Sequence, residues 1–300
     1  DLGQGKYSLG ARVHQDLDNW VVTIDQEPAI IALVARYFPD GISPKLAKKM
    51  TVPIHDSVYS FEPSSPDSPE AIEWRPKCLS LGGSLNWIAI FTRPDISCAL
   101  SLVMRHVNKA NEALHDFLLG ILVYLSNSMK FKLHLGVGQD FQARHYVLDH
   151  SALHMDPWRV LDAFGVSDAS HGGEKPMQCA ILFIGGPAFI RIGRLTSTSL
   201  SVTEGEWFAA TTLAKLINIA MHLVKFMNCD IPSPWFQFCD NDGACKLSES
   251  NISSRRMQHV ASRLAYLQEN VDELIIALFH FISKGNIADI GTKVLGPSDY

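Results

Sequence analysis

The sequence predicts a mixed α/β chain, in which a helical region precedes an α+β, mixed-sheet domain over residues 156–300. Three observations predict it. Apolar side chains recur at helical spacing through "CLSLGGSLNWIAIF", "PDISCALSLVMRHV" and "NEALHDFLLGILVYLSN". Three apolar runs, "LDAFGVSD", "CAILFIGG" and "AFIRIG", then follow one another between turn residues. A long helical pattern, the run "WFQFC", two more helical stretches and the run "LIIALFHFI" come next, so helix and strand alternate as they do in a sheet with helices on its faces.

Taken in order, the opening "DLGQGKYSLGARVHQDLDNWVVTIDQ" mixes turn residues with β-branched runs, notably Val21 to Ile24. The helical pattern of "PAIIALVARYF" follows. Residues 1–52 read as the end of a preceding α/β unit. From Pro53 to about Trp74 the composition turns to Ser, Pro, Asp and Glu without periodicity, which predicts a linker over 53–75. The helical region spans 76–155, with Pro94 in a favoured first-turn position and "KFKLHLG" closing the helices near Gly136. "LGGS" at 81–84 reads as helix packing and "IGGP" at 184–187 as a hairpin turn, since neither has a phosphate-binding glycine pattern. The long helix is expected from about Val202 to Met227.

A chain of 300 residues suggests about two structural units. With 26 basic against 31 acidic residues, no excess of positive charge points to nucleic acid, although a local basic groove is compatible with this balance. The six cysteines contain no C-x-x-C pair and have no zinc-ribbon spacing with the twelve histidines. Free thiols in a reducing compartment are expected. No apolar run reaches the ~18 residues that a membrane span needs, because Lys215 interrupts the best candidate. A soluble chain is therefore expected. The first residue is Asp1 rather than Met and no basic-then-apolar leader follows, so a piece of a longer protein is expected.

Four acidic positions stand out, each with a plain structural reading beside a chemical one. Asp168 ends the strand "LDAFGVSD" and Asp240 ends "WFQFCD"; carboxylates at strand ends are ordinary turn residues. Neighbouring strands lie only ~4.8 Å apart, however, so two strands ending in Asp can bring their carboxylates together. Such a pair would repel and lose hydration, a cost that a bound cation relieves. Oxygen donors without Cys or His suit Mg²⁺ or Mn²⁺ better than zinc.

Glu204 and Glu206 open the long helix. Ser201-Val202-Thr203-Glu204 has capping-box spacing, which assigns Glu204 to backbone donors. Glu206 has no such duty and lies ~200° around the helix from Glu204. It reads either as a first-turn charge at the helix dipole or as a site residue. Asp289 lies three residues after Asn286, the expected cap of the last helix, and can answer that cap or face the strand ends. Asp242 reads as the start of the helix after "WFQFC". His259 and His280 read as core histidines, and Arg93 in "TRPD" as structural, pairing Asp95 or a helix end.

"DLGQGKYSLG", "LGGSLNWIAIFTRPDIS" at 81–97, "VSDAS" at 166–170, "SVTEGEW" at 201–207, "FCDNDGA" at 238–244 and "NIADIGTK" at 286–293 resemble, in order, the C-terminal part of a copia-type retrotransposon polyprotein. The resemblance covers nearly the whole chain: the end of the reverse transcriptase, a connection region and a ribonuclease H domain over 156–300. It implies a ribonuclease H-like five-stranded mixed sheet flanked by helices. By motif position it implies Asp168, Glu206, Asp240 and Asp289 as catalytic metal ligands holding two Mg²⁺ ions, with Mn²⁺ as a substitute. Glu206 is preferred to Glu204 because the family's acid directly precedes an aromatic residue, here Trp207. The implied activity is hydrolysis of the RNA strand of an RNA/DNA hybrid by a two-metal mechanism. The implied partners are that hybrid and the polymerase part of the same polyprotein, with no membrane; the implied location is the cytoplasm, in a virus-like particle, or the nucleus.

Arg194, Lys215, Arg255 and Arg256 are candidate phosphate contacts, with a solvated surface as the alternative for each. Two features depart from the family. Met177-Gln178-Cys179-Ala180 stands where small residues and a Tyr are usual, and Gly205 replaces an alanine between the glutamates. No Y-x-D-D and no adjacent Asp pair occurs, so DNA synthesis is not expected. The rival reading is a catalytically inactive, transposon-derived nucleic-acid-binding or interaction module.

Overall fold

The computed structural model describes residues 6–19, 21–136, 163–171, 176–195, 199–229, 231–248, 261–281 and 286–297. The chain divides into two compact units. The first comprises Asp1–Leu17, Val22–His134 and Lys293–Tyr300, and the second Asp18–Val21 and Leu135–Thr292.

Strands β1 (Tyr7–Ser8), β2 (Ala11–Asp16), β3 (Val21–Asp25) and β4 (Leu133–Gly136) form a four-stranded sheet in that order. Asp25, 2% exposed, ends β3 with Arg12 Nη2 at 2.7 Å and His14 Nε2 at 3.1 Å, and it accepts the Glu27 N–H at 3.1 Å. Burial pushes its carboxyl up, but the Arg12 hydrogen bond, the Glu27 N–H and the Arg12 charge outweigh that and hold it below the usual carboxylate range.

Among the described residues the first unit has five α-helices: α1 (Glu27–Tyr37), α2 (Pro44–Lys49), α3 (Pro69–Phe91), α4 (Ser97–Met104) and α5 (Glu112–Asn127). In α5, Leu114, Leu118, Ile121, Leu122 and Leu125 are buried at i, i+4, i+7, i+8 and i+11, the stripe a core-facing helix requires. Helix α3 corrects the expectation of a linker through residue 75. Ser68 accepts the Ala71 N–H at 3.1 Å and Pro69 takes the first helical position, so the helix starts nine residues before Cys78 and runs through Pro76. A 3₁₀ turn also occupies Asp56–Ser60 within that stretch. Gly82 of "LGGS" packs where a Cβ would meet the Met104 sulfur at 2.4 Å, the close helix approach expected of it. Arg93 is structural as expected: its Nε and Nη2 donate to Asp95 at 2.9 and 2.6 Å, and its Nη1 donates to the Ser128 carbonyl at 3.1 Å.

The second unit is built on a five-stranded mixed sheet in the order β7-β6-β5-β8-β9, with β5 (Phe164–Ala169), β6 (Met177–Phe183), β7 (Pro187–Arg194), β8 (Trp235–Cys239) and β9 (Ile276–His280). β6 pairs antiparallel with both β7 and β5, whereas β8 pairs parallel with both β5 and β9. The hairpin at "IGGP" is as expected, with Gly185 at φ +67°. All residues of β5, β6 and β8 are buried, as befits strands covered on both faces.

Helix α6 (Val202–Phe226) lies on one face of this sheet, and Gly165 of β5 admits Leu213, whose Cδ1 would lie 2.6 Å from any Cβ there. The other face carries Phe164, Val166, Phe236, Phe238 and Phe281. Helices α7 (Asp242–Ser248) and α8 (Ala261–Asp272) link β8 to β9. By length and composition α6 is apolar enough to cross a membrane, contrary to the expectation that Lys215 disqualifies it. Its buried residues Trp207, Leu213, Ile217 and Val224 belong to the core of this unit, and Glu204 and Glu206 lie buried in its first turns.

Candidate metal centre

Parallel pairing of β5 with β8 sets the geometry. The register aligns Ser167 with Cys239, so both strands reach the same edge together, and Asp168 and Asp240 follow side by side. A third carboxylate arrives on the 3₁₀ turn Ile287–Gly291, which Asn286 begins. The Asn286 side chain accepts the Ala288 N–H at 3.0 Å and donates to the Ser167 carbonyl at 3.4 Å, tying the turn to β5. One oxygen each from Asp168, Asp240 and Asp289 then lies within 4.8 Å of the others. Asp168 is buried; Asp240 and Asp289 are half-buried and face solvent.

Helix α6 supplies the fourth acid. Ser201 Oγ accepts the Glu204 N–H at 3.1 Å, and the Glu204 carboxylate accepts the Leu200 N–H at 2.7 Å, one residue earlier than a strict capping box. Glu206 is 2% exposed; its Oε1 accepts the Ala169 N–H at 3.2 Å, and its Oε2 has no hydrogen-bond partner among the described residues. Burial above all, then the charges of Asp168 and Asp240, push its carboxyl up to about 10, against the pull of the Ala169 N–H. Trp207 Nε1 donates to the Ala244 carbonyl at 3.2 Å and joins the start of α6 to α7. The three aspartates form the close group and Glu206 lies beside it.

Other expected residues fall elsewhere. The cap of α7 is Asn241, whose Oδ1 accepts the Ala244 N–H at 2.9 Å; Asp242 is exposed and pairs with Lys246 at 2.5 Å. Arg194 is exposed at the end of β7. Lys215 lies nine residues beyond Glu206, roughly 13 Å along the helix axis, and its Nζ is 5.8 Å from the Tyr266 ring centroid. Neither joins the acids. Arg255, Arg256 and His259 lie outside the described residues. His280 is exposed, not a core histidine: it shares the face of buried Ile276 and Leu278 but is the last residue of β9.

Sequence reasoning missed Thr292. Its hydroxyl donates to Asp168 Oδ2, and it is buried. No local pattern marks it, because its partner lies 124 residues away in the chain.

The donor set is all oxygen, with an orphaned buried Glu206 oxygen beside three crowded carboxylates. That arrangement fits a hard divalent cation such as Mg²⁺ or Mn²⁺, whose charge would offset the repulsion and desolvation of the acids.

No family model matches the chain. It is 23% identical over 297 residues to the retrovirus-related Pol polyprotein from transposon TNT 1-94 of Nicotiana tabacum, covering 98% of this chain and 21% of that protein. It is 24% identical over 254 residues to the retrovirus-related Pol polyprotein from transposon RE1 of Arabidopsis thaliana, covering 83% of this chain and 16% of that protein. The chain thus spans about a fifth or less of these relatives. Among solved structures, LC11-RNase H1 isolated from compost aligns with a TM-score of 0.35 at 11% identity, covering 44% of this chain and 93% of that one. The foamy viral protease-reverse transcriptase in complex with double-stranded DNA aligns with a TM-score of 0.37 at 12% identity, covering 80% of this chain and 35% of that one. Similarity to plant transposon Pol polyproteins therefore runs over most of the chain, as the order of its motifs implies, and the second unit has the five-stranded mixed sheet expected of it.

Proposed function

Taking the chain as a fragment of a retrovirus-related Pol polyprotein, we propose that its second unit hydrolyses the RNA strand of RNA/DNA hybrids with two divalent cations held by Asp168, Glu206, Asp240 and Asp289. One observation carries this reading: three carboxylates from separate elements converge within 4.8 Å beside a buried glutamate with an oxygen unpartnered among the described residues. Structural turn residues have no reason to gather at such electrostatic cost.

Each residue has a distinct part. Asp168 and Asp240 offer oxygens from adjacent strand ends on a rigid sheet, and Asp289 closes the site from the turn. Glu206, whose carboxyl is pushed up to about 10 in the cation-free fold, would give up its proton to solvent and offer its second oxygen to a cation. Bound cations would neutralise the charge developing on a phosphodiester and ease deprotonation of an attacking water. Half-buried Asp240 and Asp289 leave the site open to a backbone phosphate. Choice of the hybrid would come from its shape and 2′-hydroxyls across the minor groove rather than from base reading. Arg194, Lys215, Arg255 and Arg256 remain proposed phosphate contacts.

The test is cleavage of an end-labelled RNA/DNA hybrid by the purified chain in Mg²⁺ or Mn²⁺, with double-stranded DNA and single-stranded RNA as controls. Cutting is expected only in the RNA of the hybrid, and Asp240→Asn should abolish it. A hybrid that is bound but left intact with either metal would overturn the enzymatic reading in favour of an inactive binding module.

A further inference from the structure

We propose that Thr292 is a positioning residue for the cation site, orienting Asp168 from a turn that Gly291 allows to seat directly on the sheet. This rests on the reading of the four acids as cation ligands. The turn at Ile287–Gly291 is fastened to β5 at both ends and at consecutive residues: Asn286 donates to the Ser167 carbonyl at 3.4 Å, and Thr292 donates its hydroxyl to Asp168 Oδ2. The Thr292 hydroxyl also lies 3.4 Å from the Asp289 carbonyl. A hydroxyl has one proton, and the contact with Asp168 is the closer, so the proton goes to that carboxylate. Asp168 is thereby held through Oδ2 at the strand end where one of its oxygens lies within 4.8 Å of an oxygen of Asp240 and of Asp289.

Gly291 makes the fastening possible. A Cβ at Gly291 would lie 2.6 Å from Cys179 Sγ, 2.7 Å from Cys179 Cβ and 2.9 Å from Ile192 Cγ1. Cys179 is the register partner of Asp168 across β5 and β6, so the turn presses on the sheet directly beside the ligand it orients. One short turn thus carries Asp289 as a ligand and Thr292 as the support of another, which fixes two of the four acids relative to each other.

Supports of this kind are worth 10–100-fold in metal affinity when removed. Calorimetric titration of the whole chain with Mn²⁺ alone, and with Mg²⁺ alone, should show Thr292→Val weakened by that factor. Thr292→Ser, which keeps the hydroxyl, should stay within a few-fold of the parent. Thr292→Ala serves as a second hydroxyl-free variant should the valine protein fail to fold. Melting temperature in EDTA separates a merely structural role: if Thr292→Val or Thr292→Ala melts lower yet binds either cation as tightly as the parent, the inference is wrong. If the parent itself binds neither cation, the reading of the acids fails first and this inference with it.

Discussion

At the scale of single residues, Glu206 concentrates the electrostatic conflict of the site. Its carboxyl is pushed from an ordinary 4.5 to about 10, by burial first and then by the charges of Asp168 and Asp240. Between those two values the unfolded chain has lost a proton that the cation-free fold keeps. The fold therefore binds more protons, and its stability falls as pH rises through that window. Glu206→Gln removes the titrating group while keeping its shape. Melting curves in EDTA from about pH 5 to pH 9 should show the variant gaining on the parent as pH rises. Parallel curves for the two proteins would mean that Glu206 is not held protonated. That Glu204 serves the start of α6 was legible in the sequence, because capping spacing follows from local chain geometry. Thr292 was not, since its hydroxyl finds Asp168 across 124 residues of chain.

At the scale of elements, the glycines divide by what a methyl group would meet. In the first turn of α6, a Cβ on Gly205 would touch Ala169 Cβ at 3.5 Å and Ser199 Oγ at 3.6 Å, which are ordinary contacts. Glycine in a helix costs up to ~1 kcal/mol relative to alanine, less near the end. Gly205→Ala should therefore stabilise the protein by a few tenths of a kcal/mol to about 1 kcal/mol and raise its melting temperature by up to roughly 4 °C. A lower melting temperature would mean that the start of α6 needs the glycine for more than its small size. The strands and α6 were legible from apolar runs and helical periodicity, which report burial of one face or two. The start of α3 was not, because Pro76 interrupts the periodicity; the N-terminal signals that override it, Ser68 and Pro69, sit inside a stretch otherwise rich in turn residues. Adjacency of β5 and β8 was guessed from two strands ending in Asp, whereas their parallel register and the antiparallel β5–β6 pair depend on long-range packing that no local pattern encodes.

At the scale of the molecule, two compact units were expected from length alone, but the four-stranded sheet was not legible. It sets β4 at Leu133–Gly136 beside β3 at Val21–Asp25, elements that lie more than a hundred residues apart. The proposed cation site lies wholly within the second unit, its ligands supplied by β5, the segment after β8, α6 and the Ile287–Gly291 turn. A cation that binds only the folded site stabilises it by about 2.7 kcal/mol at 100 times its dissociation constant. Amides that exchange only when the site opens should then exchange about 100-fold more slowly. Hydrogen exchange read by mass spectrometry, with and without saturating Mg²⁺, should show this slowing in peptides from β5, β8 and the turn, and none in α3 or α5. No slowing in any peptide would remove the cation from the acids. Equal slowing in α3 and α5 would instead mean that the two units open as one, so that energy delivered at Asp168 and Asp240 reaches helices that supply no ligand.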